Sequence, residues 1–138
     1  MTIQRVAPEI FKKFHVKLAY LFGSRAKGTA AAESDYDVAV LFREKPADPL
    51  ALKETAFLSL ELKRGFAQRL EIVSLNDAPL LLQYEVTAHG QPLYCENEEE
   101  RVRFEVLTIK KYIDEQPMRN VYNRALHERI LRGNNGQS

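Results

Sequence analysis

Three short stretches rich in apolar, β-branched and aromatic residues predict β-strands. They are VKLAYLF (16–22), DYDVAVLF (35–42) and RLEIVSL (69–75), and Gly23 ends the first of them. Side chains of this kind, in runs of this length, favour extended structure. The chain is therefore expected to contain a sheet of at least these three strands.

The second and third strands carry acidic residues among apolar ones. Successive side chains of a strand point to opposite faces of the sheet. Asp35 and Asp37 are therefore on one face and Val38 on the other, and Glu71 and Ile72 are likewise on different faces. We expect apolar packing on one face of the second strand and acidic chemistry on the other.

Apolar residues spaced three or four apart predict helices between and after the strands. The predicted helices cover 4–14, from Pro49 to Gly65, 79–89, from Asn97 to Pro117, and 118–132. In the first, Pro8 is expected in the opening turn, because proline fits a helix there. Asp48, Asn76 or Asp77, and Asn97 are the expected N-terminal caps of the three middle helices, and Gly90 the expected end of the third helix.

The helix that follows Asn97 has an apolar stripe. The stripe consists of Val102, Val106, Ile109 and Ile113. Pro117 interrupts the helical pattern, which then resumes. We place a single folded domain at 1–116 and a helical extension with a disordered tail at 117–138.

Strands followed by helical sequence predict an α+β fold with two layers, a small mixed sheet and flanking helices. The connection between the first two strands is too short for a complete crossover helix. These strands are therefore expected to pair antiparallel.

Composition narrows the classes of function. The chain has 138 residues and a formal charge of +1, which gives no global case for nucleic-acid binding. Cys95 is the single cysteine, which excludes an internal disulfide and fits a cytoplasmic protein. No apolar run approaches the roughly 18 residues that span a bilayer, so no membrane association is expected.

The stretch GSRAKGTAAAESDYD combines a possible phosphate-binding turn with two carboxylates. Gly23 allows close backbone approach, and Ser24 at a helix start offers a hydroxyl and free amides to a phosphate. Arg25 and Lys27 could neutralise phosphate oxygens, or they are ordinary surface charges. Alone, a Gly-Ser pair is more often a simple turn.

Asp35 and Asp37 project from one face of a strand, where they could share divalent cations. Alone, such a pair is more often two exposed acids at a strand end. Glu71 is a candidate third carboxylate if the third strand lies beside the second, and otherwise an exposed strand residue. A phosphate turn and three acids together are the parts that two-metal phosphoryl or nucleotidyl transfer requires.

Gly23-Ser24, ten residues, then Asp35-Tyr36-Asp37 resembles the signature of polymerase β-type nucleotidyltransferases. The flanking LAYLFGSRAKG and the later LEIVSLNDAPLLLQYEVTAHGQPLY are similar to minimal nucleotidyltransferases of the MntA type. These are antitoxins paired with HEPN-domain RNase toxins. The resemblance covers about residues 5–115 and implies the polymerase β-like fold.

The resemblance implies transfer of AMP from ATP to a tyrosine of the toxin, in a hetero-oligomeric complex, with release of pyrophosphate. It implies that Gly23 and Ser24 hold the triphosphate, with Arg25 beside them. Asp35, Asp37 and Glu71 would ligate two Mg²⁺, with Glu71 also helping to deprotonate the acceptor hydroxyl.

Two other functions remain open on the sequence. One is nucleotidyl transfer to a small hydroxylated molecule such as an aminoglycoside, although little chain is left to shape an acceptor pocket. The other is a binding module that masks the toxin without catalysis. The C-terminal helix, with four arginines and an apolar face, either docks the partner or packs on the core.

Overall fold

The computed structural model describes residues 3–23, 36–66 and 69–135. Its helices and strands are, in chain order, α1 (Ile3–Lys13), β1 (Val16–Phe22), β2 (Tyr36–Phe42), α2 (Leu52–Phe66), β3 (Leu70–Ser74), α3 (Leu80–His89), β4 (Gln91–Cys95), α4 (Glu98–Asp114) and α5 (Gln116–Asn135). Within these ranges, none of the helices has the length and apolar character needed to cross a membrane.

Four strands form one mixed sheet in the order β3-β2-β1-β4. β1 pairs antiparallel with both β2 and β4, and β2 pairs parallel with β3. The predicted strands and the antiparallel pairing of the first two are confirmed. Asp35, the predicted first residue of the second strand, lies outside the described residues. The α+β fold is as predicted.

Both faces of the sheet are covered by helices. On one face Val38 and Val40 of β2 join a buried cluster with Phe11 of α1 and Leu58 and Leu62 of α2. The opposite face carries a second cluster. Its fully or largely buried members are Leu18, Tyr20, Ala39, Leu41, Leu75 and Val86. The expected division into an apolar and an acidic face holds only at the start of β2, since Ala39 and Leu41 continue the face of Asp37 into a core.

The N-terminal helix differs from the prediction at its start. α1 begins at Ile3, so Pro8 lies inside the helix rather than in its first turn. Phe11 of α1 is completely buried, with Ile10 and Phe14 packed around the same cluster. α1 therefore closes one face of the sheet, as the apolar spacing predicts.

The cap predicted for α2 is confirmed, but the bounds of this helix differ from the prediction. Asp48 accepts hydrogen bonds from the backbone N–H groups of Leu50 and Leu52, at 3.3 and 3.0 Å, so it does cap α2. The helix starts at Leu52 rather than at Pro49, and it passes through Gly65 before it ends at Phe66.

The caps predicted for α3 are wrong. Pro79 occupies the N-cap position, and no side chain within the described residues bonds to that end. Asn76 instead joins two strands, because its side chain accepts from the N–H of Phe42 at 2.9 Å and donates to the Phe42 carbonyl at 3.1 Å. Asp77 pairs with Lys45. Gly90 ends α3 as predicted.

The cap of α4 is confirmed, and its apolar stripe faces solvent. Asn97 accepts from the N–H groups of Glu99 and Glu100. The exposed residues of the stripe are Val102, Val106, Ile109 and Ile113. α4 turns a different face, which includes Phe104 and the buried Thr108, toward the protein.

A buried tyrosine explains the orientation of α4. Tyr20 of β1 is 1% exposed, and its hydroxyl donates to Glu105 Oε2 at 2.7 Å. Arg101 donates to the same oxygen at 2.8 Å and to Glu98. Burial and the bond to Glu105 raise the pKa of Tyr20 above its ordinary value. Because a buried hydroxyl without a partner is costly, α4 must present Glu105 to the sheet.

The predicted interruption near Pro117 is confirmed. α4 ends at Asp114 and α5 begins at Gln116, so Pro117 lies in the first turn of α5, where proline is tolerated. Tyr112 stacks on Tyr84 of α3, with ring centroids 3.7 Å apart. The guanidinium of Arg119 lies 3.6 Å from the centre of the Tyr112 ring. These contacts fix the junction of α4 and α5.

Candidate functional site

The site begins where β1 ends. Phe22 is the last residue of β1 and pairs with Asp37 of β2. Gly23 follows with a φ of +77°, in the left-handed region that residues with a Cβ rarely adopt. The chain therefore leaves the sheet at a glycine, beside the first residues of β2, as the Gly-Ser pair predicts.

The Asp37 carboxylate lies directly against this glycine. A Cβ built on Gly23 would be 2.6 Å from Oδ2 of Asp37 and 3.4 Å from its Cγ. No side chain fits in that space without moving the carboxylate. The missing Cβ thus brings one carboxylate to the turn that is the candidate phosphate site.

Glu71 lies beside Asp37. The parallel pairing of β2 and β3 puts these two residues in register, as it does the next pair on the same face, Ala39 and Val73. Ala39 and Val73 both contribute to the second core cluster, so the carboxylates of Asp37 and Glu71 share its face of the sheet. Neighbouring strands lie about 4.8 Å apart, which brings the two acids within reach of one cation.

The two acids differ in exposure. Asp37 is half-buried, whereas Glu71 is exposed. One carboxylate is held against the protein, and the other is open to solvent and to an approaching substrate. Carboxylate oxygens are the ligands that Mg²⁺ prefers, and it keeps other positions for water and phosphate. The donor set of Asp37 and Glu71 therefore fits Mg²⁺.

The other predicted site residues lie outside the described residues. These are Ser24, Arg25, Lys27 and Asp35. Within residues 3–23, 36–66 and 69–135, no cluster of three or more His, Cys, Asp or Glu side chains could hold a metal ion. The structure thus brings together Gly23, Asp37 and Glu71.

Sequence reasoning missed the polar network beneath α4. Tyr20 pairs with Ala39, two residues along the strands from the pair of Phe22 and Asp37, so it lies on the same face as Asp37. The signal in the sequence was a tyrosine at the centre of an otherwise apolar strand. Cys95 packs against the same cluster, and burial raises the pKa of its thiol. It serves as a small side chain packed against the core.

Replacing Gly23 with alanine is expected to reduce catalysis more than stability. Left-handed backbone costs a residue with a Cβ roughly 1–2 kcal/mol, and the new methyl group would push the Asp37 carboxylate out of position. We expect the rate of the nucleotidyl transfer that the sequence resemblance implies to fall about tenfold or more. The Tm should fall by only a few degrees. Initial rates and thermal denaturation measure the two effects. Equal rates for wild type and Gly23→Ala would contradict the assignment.

A family model described as polymerase beta, nucleotidyltransferase matches residues 6–99. The chain is 32% identical over 121 residues to the protein adenylyltransferase MntA of Aphanizomenon flos-aquae, covering 79% of this chain and 80% of that protein. It is also 32% identical over 97 residues to the protein adenylyltransferase MntA of Shewanella oneidensis, covering 70% of this chain and 66% of that protein.

Solved structures have the same fold. A chain of a toxin-antitoxin complex with AMP-PNP matches with a TM-score of 0.74 and 26% identity, over 90% of this chain and 98% of the other. A complex of a tri-AMPylated Shewanella oneidensis HEPN toxin with its MNT antitoxin contains a chain that matches with a TM-score of 0.68 and 24% identity. The second likeness covers 91% of this chain and 96% of the other.

The family model spans the glycine turn and both of the paired carboxylates, and the MntA relatives extend the similarity over most of the chain. The chain belongs to the polymerase β nucleotidyltransferases and, within them, to the family of the MntA protein adenylyltransferases.

Proposed function

We propose that this protein is an antitoxin that transfers AMP from ATP to a tyrosine hydroxyl of a HEPN-domain RNase toxin and so neutralises it. The observation that carries the proposal is the register pairing of Asp37 with Glu71 beside Gly23. It occurs in a chain that is 32% identical to protein adenylyltransferases. A solved relative holds a tri-AMPylated HEPN toxin, which supports this class of acceptor.

The glycine turn is the proposed site of the triphosphate. Gly23 leaves room for a ligand to approach the backbone, and Ser24 and Arg25 would donate hydrogen bonds to phosphate oxygens. A structural relative with AMP-PNP supports a nucleoside triphosphate as the substrate. Arg25 would neutralise part of the phosphate charge with its forked donors.

Asp35, Asp37 and Glu71 are the proposed ligands of two Mg²⁺ ions. When bound, the ions would supply Lewis-acid stabilisation of the charge on the phosphates and on the attacking oxygen. Packing against Gly23 would keep the carboxylate of Asp37 in place. Glu71, being exposed, would face the acceptor and help to take the proton from its hydroxyl group.

The proposed reaction is a single displacement. The tyrosine oxygen forms a bond to the α-phosphorus of ATP, while the bond from that phosphorus to the β-phosphate bridging oxygen breaks. Pyrophosphate leaves with the electron pair, and the tyrosine proton passes to Glu71 or to solvent. Because the acceptor oxygen attacks directly, the chain needs no nucleophile of its own. Residues 1–116 would form the catalytic domain, and residues 117–138 would be an extension of it.

The test is to incubate the purified protein with ATP, Mg²⁺ and its cognate HEPN-domain protein, and to count added AMP groups by mass spectrometry. We expect one or more AMP groups on a tyrosine of the HEPN protein and loss of its RNase activity. Chelation with EDTA should stop the transfer, because the proposed ligands act through a divalent ion.

The double variant Asp35→Ala/Asp37→Ala separates catalysis from masking. It should add no AMP and should leave the RNase active at the dose at which wild type inhibits it. Equal neutralisation by the double variant would instead favour a non-catalytic binding module. Transfer to an aminoglycoside but not to the HEPN protein would favour the small-molecule acceptor.

A further inference from the structure

A cavity of about 450 Å³ opens at the end of the sheet that is remote from Asp37. β1 begins at this end and β2 ends there, because Val16 pairs with Phe42 whereas Phe22 pairs with Asp37. At about 3.3 Å per residue, Asp37 and Phe42 lie about 16 Å apart along β2. The cavity is therefore separate from the candidate site.

Three segments of the chain form the cavity. They are the turn between α1 and β1, the end of β2 with the residues that follow it, and the first turn of α2. Phe14 and Phe42 contribute an apolar wall, and the charged residues of the lining include Arg43, Glu44, Lys45 and Glu54. A volume of this size, with an apolar wall and a few polar groups, is typical of small-molecule sites.

The two positive side chains of the lining already have partners. Arg43 donates from Nε to Glu96 at 2.7 Å, and its Nη1 lies 3.3 Å from Nδ1 of His15. Lys45 pairs with Asp77 at 3.2 Å. Each of these positive charges is thus offset by a carboxylate of the protein itself.

The two acids of the lining lack such partners. Among the described residues, neither Glu44 nor Glu54 forms an ion pair. Oε2 of Glu54 is, within the same residues, the one buried side-chain nitrogen or oxygen without a hydrogen-bond partner. A buried polar atom in this state is costly unless something donates to it. The lining therefore carries two negative charges that the described protein does not offset.

Glu54 can turn its carboxylate toward the cavity. The residue is half-buried, and its side chain has several rotatable bonds, of which the last has a broad range of angles. A positively charged donor in the cavity would favour a conformation in which Oε2 accepts a hydrogen bond. Bonds between charged groups of this kind are about twice as strong as those between neutral ones.

The cavity favours an organic cation over a metal ion. Within the described parts of the chain, no three His, Cys, Asp or Glu side chains are placed to hold a metal. Aromatic rings attract cations and also pack against methylene groups. The ammonium group of Lys13 already lies 5.6 Å from the centre of the Phe14 ring. An aliphatic amine would use the apolar wall and the acids together.

We propose that this cavity binds a short aliphatic diamine. One ammonium group is held by Glu54 and the other by Glu44, and the methylene groups between them lie against Phe14 and Phe42. Two ammonium groups match the two acids that lack partners. The ligand is independent of the proposed AMP transfer, because the cavity and Asp37 are at opposite ends of β2.

Calorimetry with the diamine putrescine tests the site directly. We expect one molecule per chain, with a Kd of about 1 mM or lower, a strength that a ligand of this size can reach. Butylamine, which lacks the second ammonium group, should bind at least about fivefold more weakly. Succinate, a dianion of similar length, should not bind. Mg·ATP should not compete with putrescine.

Single substitutions locate the diamine in the cavity. Glu54→Gln keeps the shape of the side chain but removes its charge, so the Kd for putrescine should rise at least about tenfold. Glu44→Gln, at an exposed position, should raise it at least about fivefold. Glu85→Gln is the matched control, because Glu85 is exposed on α3, which packs on the other face of the sheet. Its Kd should stay within about twofold of wild type.

Several results would overturn the proposal. Wild type that does not bind putrescine would do so, as would equal affinity for butylamine or an unchanged Kd in both glutamine variants of the lining. Binding of succinate instead would assign the cavity to anions held by Arg43 and Lys45. Competition by Mg·ATP would place putrescine at the candidate site. None of these measurements requires AMP transfer, so the proposed function can fail while this proposal holds.

Discussion

Replacing Asp37 with asparagine is expected to lower the rate of AMP transfer by about three orders of magnitude. The amide keeps the size of the side chain but loses the negative charge that a divalent cation requires, a loss of several kcal/mol of transition-state stabilisation. The substitution also alters the Asp37 carboxylate that lies against the glycine turn, where Oδ2 would be 2.6 Å from a Cβ built on Gly23. The altered ligand is therefore at the centre of the site. Labelled AMP incorporation under initial-rate conditions measures the effect.

The fold should tolerate this change. Asparagine is nearly isosteric with aspartate, and β2 is held by Val38 and Val40 in the core. Asp77→Asn is the matched control, because Asp77 follows the end of β3 that is remote from Glu71 and pairs only with a surface lysine among the contacts described. Retention of more than about a tenth of the wild-type rate by the Asp37 variant would contradict its role as a metal ligand.

Replacing Glu71 with glutamine is expected to lower kcat by about 10²-fold and to change the KM for ATP by only about threefold. A group that helps to deprotonate the acceptor acts in the transition state, and general bases contribute effects of this size. The exposed position of Glu71, in register with Asp37, fits contact with the acceptor rather than with the buried side of the site. Steady-state kinetics with varied ATP and varied acceptor separate the two constants.

Glu9→Gln is the control for this variant. Glu9 is exposed on α1, which packs against the other face of the sheet, so its kinetics should match wild type. A Glu71 variant with an unchanged kcat and a raised KM for ATP would assign this residue to nucleotide binding instead.

Local sequence patterns predicted the sheet well. Strands β1 to β3 are where alternation and apolar runs place them. These features depend on side-chain period and on neighbouring residues, which a sequence displays directly. The sequence left open whether Glu71 lies beside Asp37, and the parallel pairing of β2 with β3 decides it.

The orientation of α4 could not be predicted in the same way. Its apolar stripe, which includes Val106, is the natural choice for a buried face by periodicity alone. The core instead takes Glu105 and Arg101, because the hydroxyl of Tyr20 needs an acceptor inside the protein. Such a demand comes from a residue more than 80 positions away, and no local pattern contains it.

The prediction of the cap of α3 was wrong for a related reason. Asn76 has the side chain of a good cap, but both of its polar groups bond to the backbone of Phe42 in β2. Tertiary contacts therefore decided between two roles that the residue type permits equally.

The parallel pairing of β2 with β3 makes the candidate site late to assemble during folding. Gly23 and Asp37 meet through antiparallel neighbours close in sequence, whereas Glu71 arrives only after α2 has carried the chain across the sheet. Contacts of greater sequence separation form more slowly, and β3 lies at the end of the strand order. Catalytic competence should thus appear only in chains in which β3 has paired with β2, so that activity reports this pairing.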